Sequence, residues 1–507
     1  MSESGLSLGR VLDVLRAADL LLEASVPEDT RVQGVSQDSR TTGSGDLFLC
    51  WEGTEHDAHE HLPEAAEKGA LAAVVERVVP DVDIPQIRVR GGRRAAALVA
   101  DAFFRSPWRD LFMVGVTGTN GKTTTVLLCR HLLSLREPTA ALGTLGMIGP
   151  NGEPHPGTEG LTTPGPVQLS GWLRSLADEG VEAVAMETSS HALEQERLDG
   201  IGFDVAVFTN LSQDHLDYHG TEEAYLRAKA RLLKLLAPTG VRIVNGADAA
   251  WEALPPHPGR RLVFRILEDA EREGPGEDAG GSDQDLVARG VHLGAEGASF
   301  VLEHQGEREL VELPLLGRFN IENALGAAGV ALTRGHPLGE VARGLREAPQ
   351  LPGRLEVVHR GGFTVVVDFA HSPAALVRVL EALRPLFPGR LIVVFGAGGD
   401  RDPSKRAPMG RAVSAVADLP VVTSDNPRTE DPEAIIDDIV AGMGGLPYER
   451  ILDRRGAIAR ALEVARDGDV VLLAGKGHER AQTIGREKVP FDEREIVRDF
   501  LKRRGAG

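Results

Sequence analysis

Short apolar runs alternate with segments of helical periodicity along most of this sequence. The runs are rich in valine, isoleucine, leucine and phenylalanine, and the segments between them repeat their apolar residues at helical spacing. Such runs are typical of buried strands, and such segments are typical of helices that cover a sheet. The pattern therefore predicts an α/β fold with mainly parallel sheets.

Seven of the apolar runs end directly in a polar or glycine-rich cluster. The runs and their clusters are FMVGV with TGTNGKT, VEAVAM with ETSSH, VAVFTN with LSQDH, TVVVDF with AHSP, LIVVF with GAGGDR, PVVTS with DNPR, and VVLLAG with KGHE. Open α/β sheets bind their ligands beyond the carboxyl ends of the strands. The recurrence predicts two sheets whose functional edges face a shared cleft.

The chain divides into three blocks by pattern. Residues 1–107 mix short helices and strands and end at RSPWRD, where Pro107 marks a linker. Residues 108–350 begin with LFMVGVTGTNGKTTT, and residues 351–507 begin at LPGRLEVV; both alternate strand and helix. Residues 270–285 are acidic and glycine-rich, which predicts an exposed loop. We therefore expect three α/β domains with these boundaries, in keeping with the usual size of a domain.

Composition and charge exclude several classes of protein. A net charge of −19 is unsuited to gripping a nucleic-acid backbone, although a few arginines can still form a local pocket for a small anion. The cysteines, Cys50 and Cys129, form no CxxC motif, which favours a reducing compartment. The N-terminal MSESGLSLGR lacks the apolar core of a signal peptide, and no segment has the roughly 20 apolar residues that cross a bilayer. We expect a cytoplasmic protein with neither nucleic acid nor a membrane as its partner.

A glycine-rich loop follows the first strand of the second block and precedes the helical segment TTTVLLCRHLL. Glycines let backbone amides curl around phosphate oxygens, and the N-terminus of a helix favours anions. In such loops a lysine, here Lys122, reaches the β- and γ-phosphates, and the next hydroxyl, here Thr123, ligates Mg²⁺. The strict pattern requires glycine where Val116 stands, so the loop is a shorter variant, and a plain glycine turn is the alternative. The predicted nucleotide-binding residues are Gly118, Thr119, Asn120, Gly121, Lys122, Thr123 and Thr124.

The segment TEEAYLRAKARLLKLL has the pattern of a helix that begins at Thr221, with two glutamates in its first turn. Lys229 shares one face of that helix with Tyr225, Leu226, Leu232 and Leu233. The other basic side chains form a different stripe, so Lys229 points inward. Burial lowers the pKa of a lysine, by up to about 3–5 units when it is complete, and a neutral amine can react with CO₂. The alternatives are a lysine that snorkels to solvent and one that pairs with a buried acid.

Five motifs occur together in order: GTNGKTT, ETSSHAL, NLSQDHLDYHG, GRFNIENALGA and DFAHSP. With them the sequence closely resembles the Mur ligases over essentially its whole length. QDSRTTGSGDLFLCWEGTEHDAHEH resembles the nucleotide-sugar-binding domain of the MurE branch, and SDNPRTEDP and GKGHE resemble that branch's amino-acid site. The resemblance implies an N-terminal α/β nucleotide-sugar-binding domain, a central P-loop ATPase-like domain and a C-terminal Rossmann-like α/β domain. It also implies an ADP-forming ligase of peptidoglycan precursor synthesis that uses ATP and Mg²⁺.

The resemblance assigns the catalytic roles to Lys122, Glu187, His215 and Lys229. Thr123 would ligate one Mg²⁺, and Glu187 and His215 would hold a second between the γ-phosphate and the acceptor's carboxylate. Lys229 would carry a CO₂-derived carbamate that helps to hold the second ion. By local pattern alone, His215 could equally be a hydrogen-bonded loop histidine.

The acceptor implied by the resemblance is a UDP-linked muramoyl dipeptide, whose uridine end Ser39 would contact. The residues that would bind its sugar, pyrophosphate or peptide are Thr162, Thr163, Ser189, Gln195 and Arg197. Arg197 suits an anionic group because a guanidinium can bind two oxygens at once. By pattern alone, the paired threonines and serines would be ordinary caps and turns. The residues that would contact the adenine or ribose of ATP are Asn323, Arg354 and Asp368, with His371 a weaker candidate.

The third block would supply the pocket for the incoming amino acid. By the resemblance, the pocket residues are Arg401, Asp425, Asn426, Pro427, Arg428, Gly475 and Glu479. Arg428 can clamp the distal carboxylate of meso-diaminopimelate, which lysine lacks, and Glu479 suits the distal ammonium. By local pattern, DNPR could instead be an Asx-Pro turn with a surface arginine.

These assignments lead to one hypothesis of function. The chain would add meso-2,6-diaminopimelate to the D-glutamate of UDP-MurNAc-L-Ala-D-Glu through an acyl phosphate, and closure of the third domain would exclude water. The same ligase could instead use L-lysine or L-ornithine, and related ligases add D-Ala-D-Ala or extend folate with glutamate. An alternative from another class is a regulatory protein that binds ATP without catalysis. We expect the small-molecule substrates to be its partners and the protein to be a monomer.

Overall fold

The computed structural model describes residues 5–53, 56–268 and 285–505. The first part of the chain forms a five-stranded sheet in the order β2-β7-β6-β5-β4, parallel except for β2, and a separate antiparallel pair of β1 and β3. The strands are β1 (Leu6–Ser7), β2 (Leu21–Ala24), β3 (Arg31–Val32), β4 (Gly34–Ser36), β5 (Asp46–Leu49), β6 (Ala72–Val75) and β7 (Gln86–Val89). The helices are α1 (Leu8–Ala17), α2 (Leu62–Glu67) and α3 (Gly92–Phe103).

A ten-stranded sheet forms the centre of the protein, in the order β10-β9-β11-β8-β12-β13-β14-β15-β16-β17. The strands are β8 (Phe112–Thr117), β9 (Thr139–Gly143), β10 (Gly146–Ile148), β11 (Ala183–Glu187), β12 (Phe203–Phe208), β13 (Leu236–Asn245), β14 (Arg261–Leu267), β15 (Leu286–Gly294), β16 (Gly297–His304) and β17 (Glu307–Leu313). Neighbours from β9 to β15 pair in parallel, and β10, β16 and β17 pair antiparallel at the two ends.

Eight helices accompany the described part of this sheet. They are α4 (Lys122–Leu133), α5 (Pro166–Asp178), α6 (Ser190–Glu194), α7 (Leu216–His219), α8 (Glu222–Ala230), α9 (Leu232–Leu235), α10 (Arg318–Thr333) and α11 (Leu338–Arg346). Helices α4, α10 and α11 bury their apolar residues against one face of the sheet, and α5 and α9 pack on the other. Because both faces are covered, the central strands are apolar on both sides, which explains their continuous apolar runs.

The last part of the chain forms a six-stranded sheet in the order β18-β19-β23-β20-β21-β22, parallel except for β18, with an antiparallel hairpin of β24 and β25 beside it. The strands are β18 (Glu356–Arg360), β19 (Thr364–Asp368), β20 (Leu391–Phe395), β21 (Leu419–Val422), β22 (Glu449–Arg450), β23 (Val470–Ala474), β24 (Ala481–Ile484) and β25 (Glu487–Pro490). The helices are α12 (Pro373–Leu383), α13 (Arg406–Ser414), α14 (Pro432–Val440), α15 (Arg454–Val464) and α16 (Glu493–Gly505).

Helices α12, α13 and α14 cover one face of this third sheet, and α15 and α16 cover the other. A mainly parallel sheet with helices on both faces is the doubly wound, Rossmann-like arrangement. The predicted α/β fold class, with a mainly parallel central sheet and a Rossmann-like C-terminal sheet, is confirmed.

The seven apolar runs that end in polar clusters are all strands. Strands β11, β8 and β12 are neighbours in the central sheet, and β19, β23, β20 and β21 are neighbours in the third. Their carboxyl ends therefore meet at one edge of each sheet, and two arginines from the third part of the chain contact the edge of the central sheet. Arg354 donates from Nη2 to Thr123 Oγ1 (3.2 Å), and Arg378 donates to Ser212 Oγ (3.2 Å). The strands and their polar ends are as predicted, and the prediction that these edges face a shared functional cleft stays a prediction.

Other predictions concern single segments. Cys50 and Cys129 are buried and unpaired. Within the described residues, no helix is long and apolar enough to span a bilayer. The loop predicted at residues 270–285 lies, except for its last residue, outside the described residues.

Candidate active site

The phosphate loop joins the end of β8 to the start of α4. Gly118 and Gly121 have positive φ angles of 148° and 83°, where a side chain would be strained. A Cβ at Gly118 would also collide with Thr209 Oγ1, and one at Gly121 with Asn323 Oδ1. The loop is braced from β12, because Asn210 accepts from the amides of Thr119 and Asn120 at 2.7 and 3.0 Å. The first N–H groups of α4 have no intrahelical acceptor, so this end of the helix can bind an anion.

Lys122 folds back over this loop. Its Nζ donates to the carbonyl oxygens of Gly118 and Thr119, both at 2.9 Å. Burial lowers the pKa of Lys122 and nearby Glu187 opposes that effect, while Arg354 adds to it. The ammonium group is thus held at the mouth of the loop, where it can turn toward a bound phosphate.

Glu187, the last residue of β11, is 2% exposed and points at the start of α4. Its Oε1 accepts from Thr123 Oγ1 (2.9 Å) and from the Thr144 backbone amide (2.8 Å). Gly143 makes room for it, since a Cβ there would collide with the carboxylate. A buried carboxylate and a hydroxyl 2.9 Å apart at a phosphate loop are the hard oxygen donors that Mg²⁺ prefers, so these residues fit that ion.

Lys229 lies behind the same loop. It is 1% exposed, Nζ donates to the Gly118 carbonyl (2.8 Å), and the ammonium lies 4.2 Å from the centre of the Tyr225 ring. Helix α8 begins as predicted, with Thr221 Oγ1 accepting from the Ala224 amide. Burial, and then the charge of Lys122, hold the pKa of Lys229 well below its usual value. The side chain does not snorkel, and no carboxylate of the described residues forms an ion pair with it.

His215 precedes α7 in a left-handed conformation, with a φ of 52°. Its ring is about half exposed, at 47%, and lies edge-on to His191, with 4.8 Å between ring centroids. It also lies 6.2 Å from the ring of Tyr225, the neighbour of Lys229. The loop therefore carries His215 to the vicinity of Lys229. We find no hydrogen bond or ion pair between His215 and Glu187, and no group of three or more His, Cys, Asp or Glu side chains among the described residues could hold a metal.

The residues predicted for the sugar, pyrophosphate or peptide of the acceptor form a connected group beside Glu187. Thr163 Oγ1 donates to the Glu187 carbonyl (2.8 Å), and Ser189, the N-cap of α6, lies 3.2 Å from that hydroxyl. Arg197 donates to the Thr163 carbonyl (2.9 Å) and to Gln195 Oε1 (2.6 Å). Thr162 joins the group through the Thr144 hydroxyl (3.2 Å).

A cavity of about 230 Å³ opens next to this group, between the first and the central sheets. Arg197 and Gln195 line it from the central part, and residues that the sequence did not single out line it from the first part: Gln37, Trp51 and Arg93. Ser39 is not among the lining residues. Its hydroxyl is buried and donates to Glu64 Oε2 (2.7 Å), so it supports the fold two residues away from Gln37.

The loops that follow β21 and β23 meet at the functional edge of the third sheet. Asn426 Nδ2 donates to Glu479 Oε2 (2.9 Å). Lys476, which is fully buried, donates to Asn426 Oδ1 and to Glu479 Oε2, both at 3.0 Å. Asp425 is buried, and a Cβ at Gly475 would meet its carboxylate.

Arg428 lies at the rim of the same loops with a positive φ of 52°. Its Nη1 donates to the Gly399 carbonyl (2.6 Å), and its amide donates to the Thr483 carbonyl (3.1 Å). Pro427 before it is buried, and Arg401 is exposed on the neighbouring loop. The half-buried guanidinium is thus anchored on one side, which differs from a freely solvated surface arginine.

The residues predicted near the adenine or ribose have different surroundings. Arg354 contacts Thr123 of the phosphate loop from the segment that links the second and third blocks. Asn323 of α10 contacts Asn320 and Thr125 beneath the loop. Asp368 uses both carboxylate oxygens internally, accepting from the amides of Leu355 (2.7 Å) and Ala370 (2.8 Å).

Several residues of the site were missed by sequence reasoning. Asn210 stands in a strand-end cluster, so its position offered a signal. Gln37 and Trp51 lie in the segment that resembles a nucleotide-sugar-binding domain, so they offered a signal too. Thr144 offered none, because only the three-dimensional fold brings it to Glu187.

Comparisons with known proteins agree over most of the chain. The family model of the Mur ligase middle domain matches residues 116–331, and that of the Mur ligase glutamate ligase domain matches residues 353–477. A UDP-N-acetylmuramoyl-L-alanyl-D-glutamate–2,6-diaminopimelate ligase from Bacillus licheniformis is 38% identical over 93% of this chain and 95% of its own length. The protein of the same name from Gloeobacter violaceus is 42% identical over 94% and 96%.

A solved structure of a ligase with that same name has a similar fold. It is 32% identical to this chain, covers 99% of both chains, and has a TM-score of 0.69. The similarity extends through all three sheets, including the first, to which neither family model extends.

Proposed function

The chain belongs to the Mur ligase family, in its MurE branch, and we propose that it adds meso-2,6-diaminopimelate to the D-glutamate of UDP-N-acetylmuramoyl-L-alanyl-D-glutamate. It is an ATP-dependent, ADP-forming ligase of peptidoglycan precursor synthesis. Relatives of that name match more than nine-tenths of the chain at 38–42% identity. The observation that supports the choice of amino acid is that Arg428 and Glu479 lie on the two loops that follow β21 and β23, which are linked where Asn426 donates to Glu479 (2.9 Å).

The two loops offer one charged side chain for the distal ammonium of the amino acid and one for its distal carboxylate. Glu479 Oε2 accepts from Asn426 and Lys476, and its Oε1 has no hydrogen bond from the described residues. Arg428 uses Nη1 toward Gly399, and its Nη2 likewise has no acceptor among them. A free carboxylate oxygen and a free guanidinium nitrogen suit an ammonium and a carboxylate on the same carbon. Diaminopimelate has both groups at its distal end, whereas lysine and ornithine have only the ammonium.

In the first step of the reaction two anions, the acceptor's carboxylate and ATP, must approach each other. The acceptor's terminal carboxylate attacks the γ-phosphorus of ATP, ADP leaves, and the amino group of diaminopimelate attacks the acyl phosphate. The tetrahedral adduct then collapses to the amide and phosphate. Lys122 and the N-terminus of α4 offset the negative charge that builds up in the first step. Holding both substrates at the meeting sheet edges supplies proximity, which can be worth roughly 7–11 kcal/mol.

Thr123 and Glu187 would hold a Mg²⁺. By the family resemblance, Glu187, His215 and a carbamate on Lys229 would hold a second, which requires the loop of His215 to approach Glu187. Bound magnesium would neutralise phosphate oxygens and bring the acceptor carboxylate near them. The carbamate is supported by the burial of Lys229 and the lowered pKa of its amine, since only a neutral amine reacts with CO₂.

The acceptor would extend from the cavity lined by Trp51, Arg93 and Arg197 toward Glu187. We propose domain boundaries at 1–107, 108–350 and 351–507, because each sheet falls within one of these ranges. We also propose that the protein acts as a monomer in the cytoplasm, where UDP-linked substrates and reduced cysteines occur, with small molecules as its partners and neither nucleic acid nor a membrane among them.

The test is phosphate release from ATP with Mg²⁺, bicarbonate and UDP-MurNAc-L-Ala-D-Glu, with diaminopimelate, L-lysine and L-ornithine supplied separately and the product mass checked. We expect tripeptide chiefly with diaminopimelate. Lys122→Ala should abolish phosphate release. Arg428→Ala should lower kcat/KM for diaminopimelate roughly 10- to 100-fold, the size of a lost charge-assisted hydrogen bond. Arg450→Ala, which removes an ion pair with Asp437 in the same domain, is the matched control.

Three results would contradict the proposal in different ways. Product chiefly with lysine or ornithine would overturn the assignment of Arg428 and keep the ligase. An equal loss with every amino acid in Arg428→Ala would make that residue structural. Absence of any product from folded protein that binds ATP would favour another acceptor or a non-catalytic role.

A further inference from the structure

The two loops of the amino-acid pocket come from strands that do not pair with each other. Asp425 to Arg428 follow β21, and Gly475 to Glu479 follow β23, while β20 lies between these strands in the sheet. The backbone ladder through β20 sets the spacing of the two strand ends, but it does not set the path of the loops beyond them. Side chains that reach across the end of β20 can hold that path, as Lys476 does within the loops by donating to Asn426.

Arg454 makes such a connection from beneath the pocket. It is the first residue of α15 and is fully buried. Its Nη2 donates to the carbonyl of Ala474 (2.8 Å), the residue before Gly475, and its Nη1 donates to the carbonyl of Ser424 (3.4 Å), the residue before Asp425. The same Nη1 lies 3.9 Å from Asp425 Oδ2, a buried oxygen with no hydrogen bond. One planar side chain thus spans the starts of both loops.

Glu493 holds this guanidinium in place. It is the first residue of α16 and is fully buried. Its Oε1 accepts from Arg454 Nε at 2.8 Å. A buried ion pair adds little net stability, because both charges lose their hydration, but it fixes one geometry. A planar guanidinium is suited to that task, because its donors have fixed directions that the shorter, rotatable ammonium of lysine lacks.

We propose that Arg454, oriented by Glu493, is a positioning residue that holds the starts of the two amino-acid-binding loops in place from beneath. The proposal rests on the proposed function for the identity of the substrate, but the connection itself does not depend on which amino acid is used. Neither side chain is expected to touch the substrate. Both act through Asp425 and Gly475, which follow the carbonyl groups that Arg454 binds.

The experiment compares Arg454→Lys and Glu493→Gln with the wild type in steady-state kinetics, using whichever amino acid the wild type accepts. We expect the KM for the amino acid to rise roughly 10- to 100-fold, the range known for residues that orient the direct ligands of metal sites. The KM for ATP and for the UDP-linked acceptor should change less than about twofold. Glu493→Gln keeps a hydrogen-bond acceptor and should be the milder change.

Arg390→Gln is the matched control. Arg390 forms an ion pair with Asp469 (2.7 Å) at the opposite edge of the same sheet, away from both loops. Its loss should destabilise the domain without a selective change in the KM for the amino acid. Similar effects of Arg390→Gln and the two test variants on all three KM values would overturn the proposal.

Backbone hydrogen exchange of the free protein provides a second readout that needs no turnover. Exchange should accelerate in residues 424–429 and 474–479 of Arg454→Lys and Glu493→Gln, and stay as in the wild type in the phosphate loop, 118–123. Unchanged exchange in both pocket loops would overturn the proposal about Arg454. This result does not depend on which amino acid the wild type accepts, so the proposal about Arg454 and the assignment of the substrate can fail separately. A variant that unfolds would exchange everywhere, and the other variant would then decide.

Discussion

Two lysines of the active site compete for one carbonyl group. Lys122 and Lys229 both donate to the oxygen of Gly118, at 2.9 and 2.8 Å. Two ammonium groups on the same acceptor repel each other, and the more deeply buried one loses more hydration. Burial, and then the charge of Lys122, hold the pKa of Lys229 well below its usual value, which favours the neutral amine that can react with CO₂ to form a carbamate. The carboxylate formed in this way would replace the repulsion between the lysines with attraction.

At this scale we predict that Lys229 carries a carbamate and that the reaction needs it. Wild-type protein in ¹³C-bicarbonate should show a carbamate carbon signal in NMR that is absent from Lys229→Arg. Activity of Lys229→Arg should fall roughly 100- to 1,000-fold, as for the loss of one electrostatic stabiliser. Lys234→Arg, on the solvent side of α9, is the control and should keep both the signal and the activity. A wild-type protein that is fully active in CO₂-free buffer would refute the prediction.

His478 leads to a prediction about pH. Burial, and next the charge of Arg354, lower its pKa to about 4, and its Nδ1 is buried without a hydrogen bond. A folded-state pKa below the unfolded value means that the unfolded chain binds more protons between pH 6.5 and 4, so local stability falls as the pH falls through that range. Between pH 7.5 and pH 5 the loss should be about 2 kcal/mol.

The loss can be measured as the opening free energy of residues 470–479 by amide hydrogen exchange, corrected for the intrinsic effect of pH. His478→Gln should lose about 2 kcal/mol less than the wild type over this range. The exposed His292 is the control, because its ring is solvated in both states, and His292→Gln should behave as the wild type does. Equal losses in His478→Gln and the wild type would show that His478 is not the group responsible.

At the scale of elements, the sequence correctly predicted the strands, helices and caps that depend on short-range patterns. The seven strands, the helix after the phosphate loop and the cap at Thr221 follow from periodicity and capping chemistry, which act over a few residues. The helix that carries Lys229 was predicted to run on through LLKLL, but it is interrupted at Arg231 and continues as α9. Lys229 is buried as predicted, although its helix is shorter, because Tyr225 shares its face within α8.

Pairing between distant segments could not be predicted from the sequence. The antiparallel strands β15 to β17 extend the central sheet, and the hairpin of β24 and β25 holds Arg428 through the Thr483 carbonyl. Apolar alternation is the same in parallel and antiparallel neighbours, so the pattern alone does not give the partner. Buried charges such as Arg454 and Glu493 are missed for a related reason. From the sequence alone each is expected at the surface, because the partner that allows its burial lies 39 positions away.

At the scale of the whole molecule, the two functional edges are joined through the segment between the second and third domains. Arg354 lies on that segment, contacts Thr123 of the phosphate loop, and lies 5.3 Å from the ring centre of Phe369 at the end of β19. The segment is tied to the amino-acid pocket as well. The Gly353 amide donates to Glu356, and Arg494 binds both Glu356 and the Gly477 carbonyl. The third part of the chain is thus connected to the phosphate loop and to the proposed amino-acid pocket through one short stretch of chain.

This connection predicts that Arg354 protects the acyl phosphate from water. If the third domain closes on the phosphate loop through Arg354, Arg354→Ala should leave the cleft open more often, and water should then compete with diaminopimelate for the intermediate. The measurable quantity is phosphate released per tripeptide formed. It should be close to one in the wild type and clearly above one in Arg354→Ala, with the excess falling as diaminopimelate is raised. Arg334, which lies 4.7 Å from the Phe112 ring centre and binds Glu137 within the central domain, is the matched control, and Arg334→Ala should keep the ratio near one. If Arg354→Ala is slower but still releases one phosphate per tripeptide, the acyl phosphate is still shielded from water whenever it forms. Arg354 would then position the nucleotide without closing the cleft.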